Sequence, residues 1–198
     1  MQRGMSFAQY RAVDLSVFTS ILCVCEAMIV LAGTRWFPGE PYTLSLTSAV
    51  TALVMVRWGA WAAIPAVLGA AAFCLAGGAS AAQFAIYCAG NLAALLLLPA
   101  LSRLTWKRLK DNVLLTLLYG VLAALLMQTG RAGAALLLGH PLGACIGFLT
   151  TDVLSTLFSA LIVWICRRLD GMLEDQAHYI LRIQKEQEDM KNLGGIDP

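Results

Sequence analysis

The stretch from Leu142 to Cys166, LGACIGFLTTDVLSTLFSALIVWIC, decides the fold of this chain. It is long and apolar enough to cross a bilayer as one helix. Its middle holds a single carboxylate, Asp152, and a charge at that depth costs about 2.5–3.5 kcal/mol even on insertion scales. A chain that keeps a charge there needs a partner, a proton or a cavity to make it tolerable. We therefore expect Asp152 to belong to a functional site.

The composition places most of the chain in lipid. Of its 198 residues, 59% are hydrophobic and only 13% are charged, whereas soluble domains carry about 25% charged residues. This predicts an all-α polytopic membrane protein. The six cysteines lie in apolar runs without a metal-ligand spacing, so we expect no disulfide, no zinc and no cofactor.

Six transmembrane helices are predicted over residues 14–166, between a short N-terminal segment (1–13) and an amphipathic tail (167–198). Glu26 interrupts the first apolar run, which argues against a cleaved signal peptide. Pro99 should close the fourth span, and Gly130 is a candidate break in the fifth. The six spans are expected at about 14–33, 42–56, 60–75, 81–98, 113–127 (or to 138) and 142–166.

The distribution of basic residues gives the orientation. If the N-terminus is cytoplasmic, one side of the membrane holds Arg3, Arg11, Arg57, the basic loop 102–112 and the basic tail. The other side holds only Arg35 and Arg131. The positive-inside rule then places both termini in the cytoplasm of a cell-membrane protein. Apolar residues recur at helical spacing in the tail, which predicts a helix lying on the membrane or on a partner.

Polar residues from three predicted spans fall at the same depth. Counted from the helix ends at about 1.5 Å per residue, Glu26, Asn91 and Asp152 all lie near the bilayer centre. Further polar residues lead towards the outer side, where Trp36, Tyr42, Arg131 and His140 ring the mouth of a path open to the outside. The predicted substrate site comprises Glu26, Trp36, Gln83, Tyr87, Asn91, Gln128 and Asp152.

Each of these residues also has a structural interpretation. Asn91 is equally explained by a hydrogen bond to a neighbouring helix, and Glu26 and Asp152 would alternatively share one proton as a structural pair. Trp36 fits an aromatic belt as well as a ligand contact. The sequence has no H-E-x-x-H, G-x-S-x-G or Walker A motif, so we expect no enzyme and no ATPase within this chain.

Two short segments and the six-span layout carry a resemblance to a known family. The segment GAWAA (59–63) leads into a Gly/Ala-rich helix, and YCAGN (87–91) lies in the fourth span. Residues 14–166 thereby resemble the S components of energy-coupling factor (ECF) transporters, which capture a vitamin or similar micronutrient outside the cell. The resemblance implies that the first outer loop and helices four to six build the substrate pocket.

The resemblance also implies protein partners, namely a transmembrane coupling subunit and two ATPase subunits that supply the energy. Members of the family dock through helix one, which typically shows an Ala-x-x-x-Ala pattern. This chain offers Ser16-x-x-x-Ser20 and Cys23-x-x-x-Ala27 in its place. The implied docking residues are therefore Ser16, Ser20, Cys23 and Ala27.

The function expected from these features is capture of a small ring-bearing solute for an ECF-type importer. Either Asp152 or Glu26 would bind a cationic or hydrogen-bond-donating group of that solute. The main alternative is a structural membrane scaffold (MreD-like) that holds a cytoplasmic partner through the C-terminal helix. A third class is an intramembrane enzyme or proton-coupled carrier that uses the Glu26 and Asp152 pair.

Overall fold

The computed structural model describes residues 6–38, 44–103 and 106–194. The described residues are 85% helical and contain no strand. Two short 3₁₀ segments, Gly59–Ala62 and Leu92–Leu97, connect consecutive helices. The helices are α1 (Phe7–Trp36), α2 (Thr47–Trp58), α3 (Ala63–Ala76), α4 (Ala81–Asn91), α5 (Leu98–Arg103), α6 (Trp106–Asp111), α7 (Val113–Leu137), α8 (Leu142–Thr150), α9 (Val153–Cys166) and α10 (Gln176–Gly194).

Within the described residues, five helical stretches are long and apolar enough to cross a membrane, as a multi-pass membrane protein requires. They are Phe7–Trp36, Thr47–Ala76, Ala81–Ser102, Val113–Leu137 and Leu142–Cys166.

The second of these stretches turns back on itself at Gly59. Gly59 has a φ of 59°, a conformation that glycine adopts without the steric cost of a Cβ. Beyond the turn, a Cβ built on Gly69 would lie 2.6 Å from the Thr47 hydroxyl oxygen. The start of α2 therefore lies beside the middle of α3, and the two helices run side by side in opposite directions.

Several predicted boundaries were wrong for local reasons. Helix α1 begins at Phe7 rather than at Asp14, because Ser6 and Gln9 form a capping box ahead of it. It also continues through Trp36, which was expected in a loop. Pro99 does not end the fourth stretch, because it falls in the first turn of α5. A backbone N–H at that position has no partner within the helix, so proline is tolerated there.

The second half of the chain shows similar differences. The predicted loop 102–112 contains the short helix α6, and Gly130 does not break α7, which continues to Leu137. The tail is not helical from residue 167, because residues 167–175 are mostly in turns, with Gly171 at a φ of 67°. The helix expected in the tail is present as α10, from Gln176.

Helix α2 lies at the centre of the bundle. It packs against α3, α7 and α9, and every residue from Thr47 to Trp58 except Val50 is buried. Helix α1 instead exposes a stripe of large apolar residues, as expected for a surface in contact with lipid. That stripe includes Val17, Ile21, Val24, Met28 and Leu31.

The tail is held against one end of the bundle by Arg57, at the end of α2. Its Nη1 donates to the Gly171 carbonyl oxygen at 2.6 Å, while its Nε and Nη2 bind Asp14 on α1. Gln176, the first residue of α10, donates from Nε2 to the same carbonyl at 2.9 Å. Asp14, expected as a helix cap, is therefore an ion-pair partner that joins α1, α2 and the tail.

Candidate functional site

The stretch that decides the fold is broken at its charged residue. Thr151 and Asp152 separate α8 from α9, and the Thr151 hydroxyl donates back to the Gly147 carbonyl oxygen at 2.8 Å. Threonine and aspartate side chains compete in this way for backbone groups. The sequence prediction of one continuous helix was therefore wrong, and the run Thr-Thr-Asp was the available signal.

Asp152 forms a buried ion pair with Arg131 of α7. The Arg131 Nη1 lies 2.6 Å from Asp152 Oδ2, and the two side chains are only 5% and 4% exposed. The sequence analysis placed Arg131 at the outer mouth, which was wrong. The cause is the close approach of α4 and α7, since a Cβ on Gly130 would overlap the Gly90 carbonyl oxygen. That approach brings the guanidinium into the core.

Asn91 and Tyr87 complete the surroundings of Arg131. The Arg131 Nε donates to Asn91 Oδ1 at 2.7 Å, and Asn91 Nδ2 donates to the Ala66 carbonyl oxygen of α3 at 3.2 Å. The Arg131 guanidinium carbon lies 4.9 Å from the centre of the Tyr87 ring, within cation–π range. Tyr87 in turn stacks on Phe73 with ring centres 5.4 Å apart. Tyr87 and Asn91 of α4 thus both contact Arg131.

Glu26 of α1 caps the N-terminus of α2. Its Oε1 accepts hydrogen bonds from the Ser45 hydroxyl (2.7 Å), the Leu46 amide (2.7 Å), and the Thr47 amide (2.8 Å) and hydroxyl (2.9 Å). The side chain is 0% exposed. A carboxylate at this position is stabilised by the free amides and by the helix dipole.

Two serines connect the two carboxylates. The Ser45 amide donates to Ser155 Oγ at 2.9 Å, and Ser155 Oγ donates to Asp152 Oδ1 at 2.7 Å. A continuous chain of hydrogen bonds therefore joins residues from α1, α4, α7 and α9 and from the segments preceding α2 and α9. We call it the buried polar network; its members are Glu26, Ser45, Ser155, Asp152, Arg131 and Asn91.

The remaining predicted site residues divide into two groups. Gln128 is buried, and its Nε2 donates to the Asp152 carbonyl oxygen at 3.1 Å and to Thr156 Oγ1 at 2.7 Å, so it supports the break between α8 and α9. Gln83 lies outside the network, because it is exposed and forms a capping box at the start of α4. Trp36 is 70% exposed at the end of α1. Tyr42 lies outside the described residues.

The network is closed in this structure. Its members are at most 7% exposed, whereas the sequence predicted a polar path open to the outside. The difference has a physical cause: Arg131 fills the space beside Asp152 and Asn91 and donates to both side chains. The pair with Arg131 offsets the cost of burying the charge of Asp152.

The four predicted docking residues on α1 lie in two environments. Ser16 and Ser20 are exposed and line a groove of about 460 Å³ between α1 and α3, together with Trp61. Cys23 and Ala27 are half-buried. The Cys23 thiol donates to the Leu68 carbonyl oxygen at 3.6 Å, so this part of the pattern packs against α3.

The network combines charged groups, neutral polar groups and an aromatic ring in the interior of the bundle. They provide carboxylate and amide oxygens, guanidinium and hydroxyl donors, and the aromatic ring of Tyr87 beside them. Such groups fix the orientation of a ligand inside a mostly apolar cavity. No protein-family model, curated protein or solved structure matches this chain.

Proposed function

We propose that this protein is the substrate-capturing S component of an ECF-type micronutrient importer. The observation that supports this most strongly is the buried polar network, which brings Glu26, Asp152 and Arg131 together inside an apolar helical bundle. Ionisable groups at membrane depth are costly and mark substrate or ion pathways. Packing alone would be achieved more cheaply by apolar residues of similar volume.

A six-pass topology follows if the Gly59 turn separates two crossings. The six segments would then be α1, α2, α3, α4 with α5, α7, and α8 with α9. The tail meets α6 at one end of the bundle, where Arg167 Nη1 donates to the Lys110 carbonyl oxygen at 2.9 Å. This is the basic end, and the positive-inside rule would place it, with both termini, in the cytoplasm of a cell-membrane protein.

Capture would exchange internal hydrogen bonds for bonds to the solute. Arg131, Asn91 and Gln128 would orient a small ring-bearing molecule, and the Tyr87 ring would stack on it. The energy for release would come from two partner ATPase subunits through a transmembrane coupling subunit. The groove beside Ser16 and Ser20 is the surface proposed for docking of that subunit.

The test of capture is purification of the protein alone in lipid nanodiscs, followed by native mass spectrometry. We expect one small molecule to remain bound, and we expect Asp152→Asn to weaken its binding at least tenfold. Asp111→Asn is the matched control, because Asp111 is an exposed residue of α6. Unchanged affinity in Asp152→Asn would remove the network from the binding site, and a protein that never retains a small molecule would contradict the proposed function.

A structural scaffold is the second candidate, and helix α10 favours it. Two of its large apolar residues, Leu181 and Met190, are 65% and 68% exposed, while its first residue is anchored to Gly171. A scaffold would present this helix to a cytoplasmic partner. Truncation after Asp175 keeps the Arg57–Gly171 contact; it would abolish a scaffold's function and leave solute capture unchanged.

A further inference from the structure

The charges and hydrogen bonds of the network indicate which charge the captured solute carries. The inference that follows rests on the proposed function. We propose that the solute carries a cationic nitrogen, and that the Oε2 atom of Glu26 is the acceptor that binds it. The sequence left Asp152 and Glu26 as equivalent candidates for this role. The contacts of the two carboxylates distinguish them.

The charges in the network are unevenly paired. Asp152 has the guanidinium of Arg131 at 2.6 Å, so its charge is already balanced inside the protein. Every described hydrogen-bond donor to Glu26 is a neutral amide or hydroxyl group. With two carboxylates and one guanidinium, the network lacks one positive charge whenever Glu26 is ionised. A cationic ligand would supply it.

The two oxygens of Glu26 have different environments. Oε1 accepts four hydrogen bonds, including two from the amides at the start of α2, and such bonds stabilise the ionised carboxylate. Oε2 is buried and has no hydrogen-bond partner within the described part of the chain. A buried acceptor without a partner costs about 1–3 kcal/mol, and more when it is charged. A donor that reaches Oε2 would recover that energy.

Helices α1 and α2 carry further buried hydroxyl groups. The hydroxyls of Thr19, Ser48 and Thr51 are buried, and they too have no hydrogen-bond partner among the described residues. Thr19 lies two turns before Glu26 on α1, and the other two lie in the first two turns of α2. Each hydroxyl oxygen can accept a hydrogen bond, as Glu26 Oε2 can, so each could bind an N–H donor such as that of a protonated amine or amidine.

An anionic solute would have to compete with Asp152 for the guanidinium of Arg131. The Nε and Nη1 atoms of Arg131 already donate to Asn91 and Asp152. A carboxylate or phosphate group placed beside Glu26 would face an unbalanced negative charge at low dielectric, where repulsion is strong. The network therefore selects against anions as well as in favour of cations.

The experiment uses the full chain in lipid nanodiscs at pH 7. The protein is equilibrated with an equimolar mixture of two cationic compounds (thiamine and spermidine), two neutral compounds (nicotinamide and riboflavin) and two anions (pantothenate and biotin). After gel filtration, the retained compounds are quantified by mass spectrometry. We expect a cationic compound to be retained, at least tenfold more than any neutral or anionic one. This comparison uses the wild-type protein and needs no variant.

Glu26→Gln then tests the acceptor itself. The glutamine oxygen preserves the cap of α2, while the charge and the open acceptor are lost, so we expect retention of the cation to fall at least tenfold. Glu186→Gln is the matched control on the exposed α10, and circular dichroism checks folding. Retention of a neutral or anionic compound, or an unaffected Glu26→Gln, would overturn this inference and leave capture intact. Retention of no compound by any variant would overturn both proposals.

Discussion

Arg57 donates two hydrogen bonds to Asp14, from Nε at 3.0 Å and from Nη2 at 2.8 Å, and so joins the end of α2 to α1. A third donor, Trp58 Nε1, reaches the same carboxylate at 2.6 Å. The pair is largely shielded, with side-chain exposures of 8% for Arg57 and 15% for Asp14. Because the guanidinium also holds Gly171, this pair connects the bundle to the tail.

Removal of Arg57 should therefore destabilise the protein. Loss of one partner of a buried pair leaves an uncompensated charge and costs about 3–5 kcal/mol. We expect Arg57→Met to lower the thermal midpoint in detergent and to increase hydrogen exchange in residues 171–176. Arg35→Gln, at an exposed position in the last turn of α1, is the control. Equal midpoints for the two variants would contradict the role of the pair.

The Arg131–Asp152 pair predicts a non-additive double mutant. Arg131→Met alone leaves the Asp152 charge unpaired, and Asp152→Leu alone leaves the guanidinium unpaired, so each should cost about 3–5 kcal/mol. The double variant removes both charges, and we expect it to be more stable than either single variant. Thermal unfolding of the four proteins in a double-mutant cycle measures this coupling. Additive losses would show that the two residues do not stabilise each other.

The contact between Gly90 and Gly130 predicts that the effect of an alanine substitution on stability depends strongly on its position in α7. An alanine at residue 130 would overlap the Gly90 carbonyl oxygen, whereas a Cβ at Gly133 has nothing within 4 Å. We expect Gly130→Ala to lower the thermal midpoint and solute retention, because it would push α7 away from α4. Gly133→Ala should be neutral or stabilising by about 0.5–1 kcal/mol, since alanine favours a helix. The comparison is made within one helix, so general effects of the substitution cancel.

At acidic pH, the start of α10 should open more often. Hydrogen bonds from Arg182 hold the pKa of the Asp170 carboxyl below its usual range. The stabilisation from this pair is therefore complete above the pKa of the unfolded chain, about 3.9, and is lost as the pH falls through the lower folded value. Hydrogen exchange of residues 176–186 should rise below about pH 4. Asp170→Asn should show this faster exchange at neutral pH already and lose the acid dependence.

Much of the fold was predictable because segments that cross a lipid bilayer must be apolar. The apolar runs gave the helical stretches, and counting residues along them placed Glu26, Asn91 and Asp152 at one depth. The structure joins those three side chains through one hydrogen-bonded network. Depth in the bilayer was sufficient to group these three residues, because the length and tilt of membrane-spanning helices are limited.

The position of Arg131 was not predictable in the same way. The neighbouring glycines suggested a helix break, and a break would have left the arginine at the surface. In the structure, Gly130 instead allows contact with Gly90 of another helix, and no pattern within one segment specifies which distant helix it meets. The break at Asp152 was missed because the apolar run continues through it, although the two threonines before it were a local signal.

The enclosure of α2 has a consequence for how the protein would respond to different membranes. Its 12 residues extend about 18 Å at 1.5 Å each, well short of a hydrocarbon layer of about 30 Å. Since neighbouring helices surround α2, lipid thickness does not dictate its length. Tilting of α1 and α7 would accommodate thicker or thinner bilayers. The hydrogen bonds between Glu26 and the start of α2 would keep the same lengths.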